Sequence, residues 1–189
     1  NEAALELSLN ALVERHDSLR LRVTESGGVP LQQLGTDVTL SPRRHDLSAM
    51  AAEDQPAELV RRIRAARDEP FDLARAPLAR ASLIKLGEAD HALQLVVHHI
   101  VCDGSSEAIL RRDLSALYAA FRHGRSAPVA ADGPGYLGYA AWEQARIKAG
   151  KLLPQLNYWT DRLRDVPPLN LPIDGLATQE SRRGASAAI

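Results

Sequence analysis

His98 and His99 stand side by side, and Asp103 and Gly104 follow closely in the run His98-His99-Ile100-Val101-Cys102-Asp103-Gly104. An imidazole with an ordinary pKa of roughly 6.5 trades protons near neutrality, so a histidine here could relieve an attacking amine of its proton. Asp103 has two readings. It could orient a histidine as in a catalytic triad, or it could be the acid of a structural salt bridge, with Arg15 the first candidate partner and Arg20 the second. The second reading is preferred, because Asp103 lies across a chain corner from His99 and need not touch it. Gly104 sits where a side chain would crowd both the turn and the passage to His99. His99, Cys102 and Asp103 are all metal-ligand types, yet no fourth ligand lies at a supporting spacing, which argues against zinc. Ser105 and Ser106 lack a Gly-x-Ser-x-Gly elbow and read as helix caps.

These groups must be positioned by their flanks. From Ala92 to Val101 the apolar, partly β-branched run Leu93, Leu95, Val96, Val97, Ile100 predicts a buried strand. Side chains alternate along a strand, so His99 shares a face with Leu93, Leu95 and Val97, while His98 points away with Gln94 and Val96. His99 is therefore expected to face an open groove and His98 to be enclosed. Asp103-Gly104-Ser105-Ser106 is turn and N-cap chemistry, and Glu107 suits the first turn of a helix. That helix carries Leu110, Leu114, Leu117 and Phe121 on one stripe and stops at Gly124.

Upstream, Leu5, Leu9, Leu12 and Leu19 trace one helical stripe. His16 falls on it and reads as a hydrogen-bonded core histidine near a helix end. Leu19–Glu25 and Val29–Leu34 form a hairpin about Gly27-Gly28, Val38–Leu40 is a short strand candidate, and Pro56 opens a helix that closes before Pro70. Ala79–Leu86 pairs across Gly87-Glu88-Ala89-Asp90 with the histidine strand. Residues Gly124–Gly135 read as a surface loop and Tyr136–Gly150 and Pro154–Arg164 as helices. Tyr139 with Trp142, and Leu156 with Trp159 and Leu163, carry spacings typical of core. Asn170–Asp174 reads as extended chain. The alternation of strands and helices predicts an α/β lobe.

A chain of 189 residues, 45% hydrophobic and 25% charged, suffices for one domain or lobe with a genuine core. A net charge of −1 gives no electrostatic reason to expect nucleic acid or an anionic membrane as partner. No run is apolar enough to span a membrane and no signal peptide is visible, so cytoplasmic residence is the expectation. The single cysteine, Cys102, excludes an intrachain disulfide. Lysine is confined to Lys85, Lys148 and Lys151, so the basic residues are mostly arginine, a composition bias before it is a phosphate-contacting surface.

The run at His98, His99, Asp103 and Gly104 matches the HHxxxDG signature of nonribosomal peptide synthetase condensation domains, within the chloramphenicol-acetyltransferase-like acyltransferases. Arg15-His16-Asp17-Ser18-Leu19-Arg20 resembles the family's RHExLR segment, and Tyr136-Leu137-Gly138-Tyr139-Ala140-Ala141-Trp142 its YxDFAxW segment. Pro70-Phe71-Asp72-Leu73 and Pro77-Leu78-Ala79-Arg80-Ala81 are similar to family sequence between them. Asp17, Val23, Ser105 and Gly138 depart from the usual residues. The resemblance runs from about Leu5 to Ile173. It implies one lobe of a two-lobed fold, a mixed sheet flanked by helices, with residues 1–175 as the N-terminal lobe and 176–189 starting the crossover to a second lobe; the family's opening strand would precede Asn1.

The resemblance also implies a function: amide formation between a donor acyl or peptidyl thioester on one carrier protein and the amine of an acceptor on another. His99 would be the catalytic residue, as base or positioning group, with His98, Asp103, Gly104, Arg15 and Arg20 as motif or structural residues. No metal or bound cofactor is implied, since phosphopantetheine thioesters arrive on upstream and downstream peptidyl carrier proteins; an adjoining adenylation domain is expected. The family's active histidine lies between two lobes, so these residues alone are expected to be inactive. Rival readings are an epimerization domain, an acyl-CoA-dependent acyltransferase and a non-catalytic recruitment domain.

Overall fold

Asn1 caps the first helix: its Oδ1 accepts the Ala4 N–H at 3.1 Å, and helix α1 runs from Glu2 to Arg15. The computed structural model describes residues 1–127 and 135–169, so Asn170–Asp174, the crossover expected at 176–189, and most of the loop expected before Gly135 lie outside the described residues. Contacts divide the chain into two units between Glu143 and Gln144.

In the first unit, α1 buries Leu5, Leu9, Leu12 and Val13 and stops at His16, whose backbone turns extended. A single 3-10 turn over Asp17–Arg20 intervenes before the hairpin, which therefore starts two residues later than the pattern predicts: β1 (Leu21–Ser26) pairs antiparallel with β2 (Val29–Leu34). Gly27 and Gly28 form its tip with φ of 59° and 79°, a backbone that side-chain-bearing residues rarely adopt.

The second sheet is three-stranded, in the order β3-β4-β5. Strand β3 (Arg43–Asp46) runs parallel to β4 (Ala79–Lys85), which runs antiparallel to β5 (His91–Val97). The Val38–Leu40 candidate is not a strand, and β3 comes from a charged stretch without a hydrophobic pattern. Its arginines belong to an edge held by ion pairs, Arg43 with Glu69 and Arg44 with Glu2 and Glu6 of α1.

Alternation divides the two faces. Ala79, Ala81, Leu83, Leu95 and Val97 meet α1 and helix α3 (Gly104–Arg122) in one core with Leu110 and Leu117. The opposite face carries helix α2 (Gln55–Asp68), tied down by polar groups. Arg80 donates to the carbonyls of Ala66 (3.0 Å), Glu69 (2.7 Å) and Pro70 (2.7 Å), filling orphan acceptors at the helix end. Gln94 donates to the Ile63 carbonyl at 2.9 Å.

Helix α4 (Tyr136–Lys148) crosses the division between units, and helix α5 (Leu153–Leu163) belongs to the second. The aromatic stripes expected to be core are not: Tyr139, Trp142, Leu156, Trp159 and Leu163 are all exposed. A helical stripe is buried only when another surface covers it, and no described element covers these. Among the described residues no helix is long and apolar enough to cross a membrane.

Candidate active site

Strand β5 ends earlier than its apolar run. The last rung beside β4 is the His98 N–H donating to the Leu78 carbonyl at 2.9 Å; the Val101 N–H then bonds back to the His98 carbonyl at 3.1 Å, closing a turn. Ile100 and Val101 continue the apolar run but not the strand. The turn separates the two imidazoles. His98 Nδ1 accepts the Ile100 N–H at 3.0 Å, and its ring meets Phe71 edge-on, with centroids 5.7 Å apart. Phe71 is faced in turn by the Arg80 guanidinium, 3.7 Å from its centroid. His98 is thus packed and oriented, with its proton on Nε2 if Nδ1 accepts. His99 is exposed and lines an open groove of about 700 Å³ between β5 and α3.

Asp103 does something other than the preferred reading. It pairs with neither Arg15 nor Arg20 among the described residues; it caps α3, its Oδ1 accepting the Ser106 N–H at 2.8 Å and the Ser106 hydroxyl at 2.6 Å. These bonds hold its carboxyl below the usual range. The local acceptor geometry of an N-cap wins because it needs no other element to arrive. Gly104, the first residue of α3, also departs from expectation: an added Cβ would meet nothing within 4 Å, so the lobe itself does not demand glycine. Cys102 is half-buried; burial, then the charges of Asp103 and Glu107, push its thiol up, away from the thiolate a nucleophile or metal ligand needs.

Arg15 finds its acid elsewhere, ten positions further along than Asp103. Asp113 is buried on α3 between Leu110 and Leu117; its carboxylate lies 3.7 Å from Arg15 Nη1, 3.0 Å from His16 Nε2 and 2.9 Å from Arg112 Nε. Burial alone would raise this carboxyl, but the hydrogen bonds and charges of Arg112 and His16 outweigh it and leave it lowered. His16 is the satisfied helix-end histidine of the sequence reading, though only half-buried. Sequence reasoning missed Asp113, although an acid among leucines at helical spacing signals a buried pair. Arg15 and Arg20 do not line the groove; Arg20 Nε is buried without a hydrogen-bond partner among the described residues.

Asp17 joins the second and third sequence segments, its Oδ1 accepting the Tyr136 N–H at 3.0 Å at the start of α4. A Cβ on Gly135 would collide with that carboxylate, so any side chain there would have to displace Asp17.

The groove thus offers an accessible imidazole at one end, an apolar floor of Leu95, Val97, Leu110 and Leu114, and Glu107 and Arg111 on the α3 rim. It suits a proton transfer at the end of an extended substrate. Among the described residues no cluster of three or more histidine, cysteine or acidic groups is placed to hold a metal ion.

A family model for the condensation domain matches residues 1–187. Chondramide synthase cmdD of Chondromyces crocatus is 37% identical over 171 residues, 90% of this chain and 4% of that protein. The first condensation domain of the CDA synthetase has a TM-score of 0.72 at 29% identity, covering 88% of this chain and 43% of that one. The epimerization domain from the third module of tyrocidine synthetase B has a TM-score of 0.78 at 26% identity, covering 94% and 40%. The chain spans only a small part of the length of the curated relatives that it matches. With the HHxxxDG corner, the mixed sheet and these likenesses together, the chain belongs to the condensation-domain family of nonribosomal peptide synthetases.

Proposed function

We propose that the full-length protein uses this lobe to form an amide bond between two carrier-bound substrates. The donor is an acyl, aminoacyl or peptidyl thioester on one peptidyl carrier protein, and the acceptor is the α-amine of an aminoacyl thioester on another. The amine nitrogen attacks the donor carbonyl, the C–N bond forms, the C–S bond breaks, and the sulfur leaves on the donor's arm. His99 receives or steers the proton that the amine gives up, and that proton neutralises the departing thiolate. The observation that carries this reading is the separation of the two imidazoles: His98 is occupied by Ile100 and Phe71, whereas His99 stands open on the groove.

The lobe needs no metal or bound cofactor of its own for this step, since phosphopantetheine arms on the upstream and downstream carriers deliver both thioesters. An adenylation domain adjoins in the same cytoplasmic assembly, and neither nucleic acid nor membrane takes part. Likeness to an epimerization domain favours one second reading, in which the same histidine moves a proton at the α-carbon of a tethered residue. The test loads both carriers, mixes them with the full-length protein, and reads the thioesters by mass spectrometry and chiral analysis. A dipeptidyl thioester on the acceptor carrier is expected. An epimerised donor without transfer would move the assignment to epimerization, transfer from a soluble acyl-CoA alone would make the protein an ordinary acyltransferase, and unchanged thioesters would leave it a recruitment domain.

A further inference from the structure

Arg80 holds two things at once. The edges of its guanidinium fork meet the Ala66, Glu69 and Pro70 carbonyls, where α2 ends, and its flat face lies 3.7 Å from the ring centroid of Phe71, the next residue along. Glu69 Oε1 stands 3.8 Å from Arg80 Nε, and the arginine side chain is only 12% exposed. Capping the helix would use the edges alone; the face adds a cation–π contact that directs the Phe71 ring. Phe71 stands in turn at 89° to His98, with centroids 5.7 Å apart. The strand register brings the ends of this stack together. Arg80 is opposite Val96, so both lie on the α2 side of the sheet, and His98 follows two residues on, its N–H still bonded to Leu78.

The stack ends on the turn that carries His99. The Ile100 N–H donates to His98 Nδ1 and the Val101 N–H to the His98 carbonyl, so the two amides that follow His99 both fold back onto His98. His99 itself is exposed, with no side-chain hydrogen bond or ion pair among the described residues. Its direction is therefore inherited from the turn. We infer that Arg80 is a positioning residue for the reaction, acting through Phe71 and His98 on the turn that presents His99. The inference rests on the condensation reading for its chemistry, and on the stack alone for its geometry. The perpendicular Phe71 ring blocks rotation of the His98 imidazole, and rotation would carry Nδ1 away from the Ile100 amide and release the turn. A misplacement of about 1 Å at a reacting group can cost about 10²-fold in rate, so a residue that never touches substrate can govern turnover.

The test uses the full-length protein with Arg80→Met, Arg80→Lys, Phe71→Leu and the double variant of Arg80→Met with Phe71→Leu. Modification by diethylpyrocarbonate, with tandem mass spectrometry to separate the adjacent histidines, reads the placement of His98 without reading activity. Arg80→Met and Phe71→Leu should each speed modification of His98 about tenfold, while His16, bonded to Asp113 across the sheet, keeps its original rate. An unchanged His98, or His98 and His16 quickening together, overturns the inference. With both carriers loaded, each of these variants should lower kcat about tenfold to a hundredfold and leave KM within about twofold. Arg80→Lys should recover part of the loss, because it keeps a cation over Phe71, and the double variant should be no slower than the slower single one. A loss confined to KM, no recovery in Arg80→Lys, or losses that multiply in the double variant overturn it. If Arg80→Met does not fold, Phe71→Leu, which leaves the carbonyls at the end of α2 capped, decides alone. If the unaltered protein forms no dipeptidyl thioester, the proposed function falls, and the modification of His98 still decides the role of Arg80.

Discussion

Two places on α3 handle charge in opposite ways. At its start Asp103 is exposed, its side chain caps its own next turn, and it lines the same groove as an exposed His99. Nine residues of helix later, Asp113 is buried against Arg15 and His16 of another element and Arg112 of its own. The first end displays groups with little tertiary anchoring; the second fixes the helix to α1. A helix gripped at its middle can hold a reactive corner in place while that corner stays open to substrate, which is a division of labour between stability and chemistry.

The sharpest way to break the comparison is at the reactive end. His99→Ala in the full-length protein is expected to lower condensation roughly 10²–10⁴-fold while moving the unfolding free energy by no more than about 0.5 kcal/mol. Single-turnover assays with both carriers loaded, alongside denaturant melts, check both halves. A variant that unfolds early would merge the two ends into one.

Asp113→Ala should do the reverse. Removing the acid takes a buried carboxylate from between Arg15, His16 and Arg112 and costs about 3–5 kcal/mol, read as a lowered urea midpoint. A folded-state carboxyl below its unfolded value stabilises the fold above the unfolded pKa of about 4 and loses that contribution as pH falls through the lowered value. Acid titration of the melts should therefore show a stability loss below about pH 4 that Asp113→Asn diminishes.

A smaller effect belongs to the cap. Asp103→Ala is expected to lower the melting midpoint by less than Asp113→Ala does, with Asn or Ser restoring most of the loss, and circular dichroism melts would check this. A loss near that of Asp113→Ala would mean that Asp103 has a buried partner after all. Smallest of all is Gly104→Ala, with open space at its Cβ. Stability should stay within about 0.5 kcal/mol of the original. Any drop in turnover at unchanged stability would report something that approaches Gly104 from outside this lobe.

Much of this was readable from residue spacing, and the failures share a cause. Helices α1 and α3 and the two hairpins follow from periods that record which side of an element is buried, whereas the two histidines are parted by the turn after β5 and not by strand alternation. The strand overran to Val101 because Ile100 and Val101 are apolar, whereas β5 stops where its ladder with β4 stops, and Ile100 is 47% exposed. Strand β3 escaped because Arg43, Arg44, His45 and Asp46 have no hydrophobic pattern; its evidence is the neighbour it pairs with. Arg15 was assigned to the acid in the conspicuous motif, when helical spacing places Asp113 on the face that meets α1. Partner identity is a property of three-dimensional neighbours, and a run of sequence records it only through the face it lies on.

The core described for this lobe joins Leu5, Leu9 and Leu12 near one end of the sequence to Leu110 and Leu117 most of a lobe later. During synthesis α1 leaves the ribosome long before its packing partner exists, with its leucines uncovered. Such non-local closure slows folding and prolongs the exposure of adhesive surface. Asp17 likewise waits as an acceptor until Tyr136 has been made. Nascent chains stalled before α3 should therefore engage chaperones strongly, and those that have passed residue 122 should not. The lobe that carries His99 is closed only after α3 and the start of α4 have emerged.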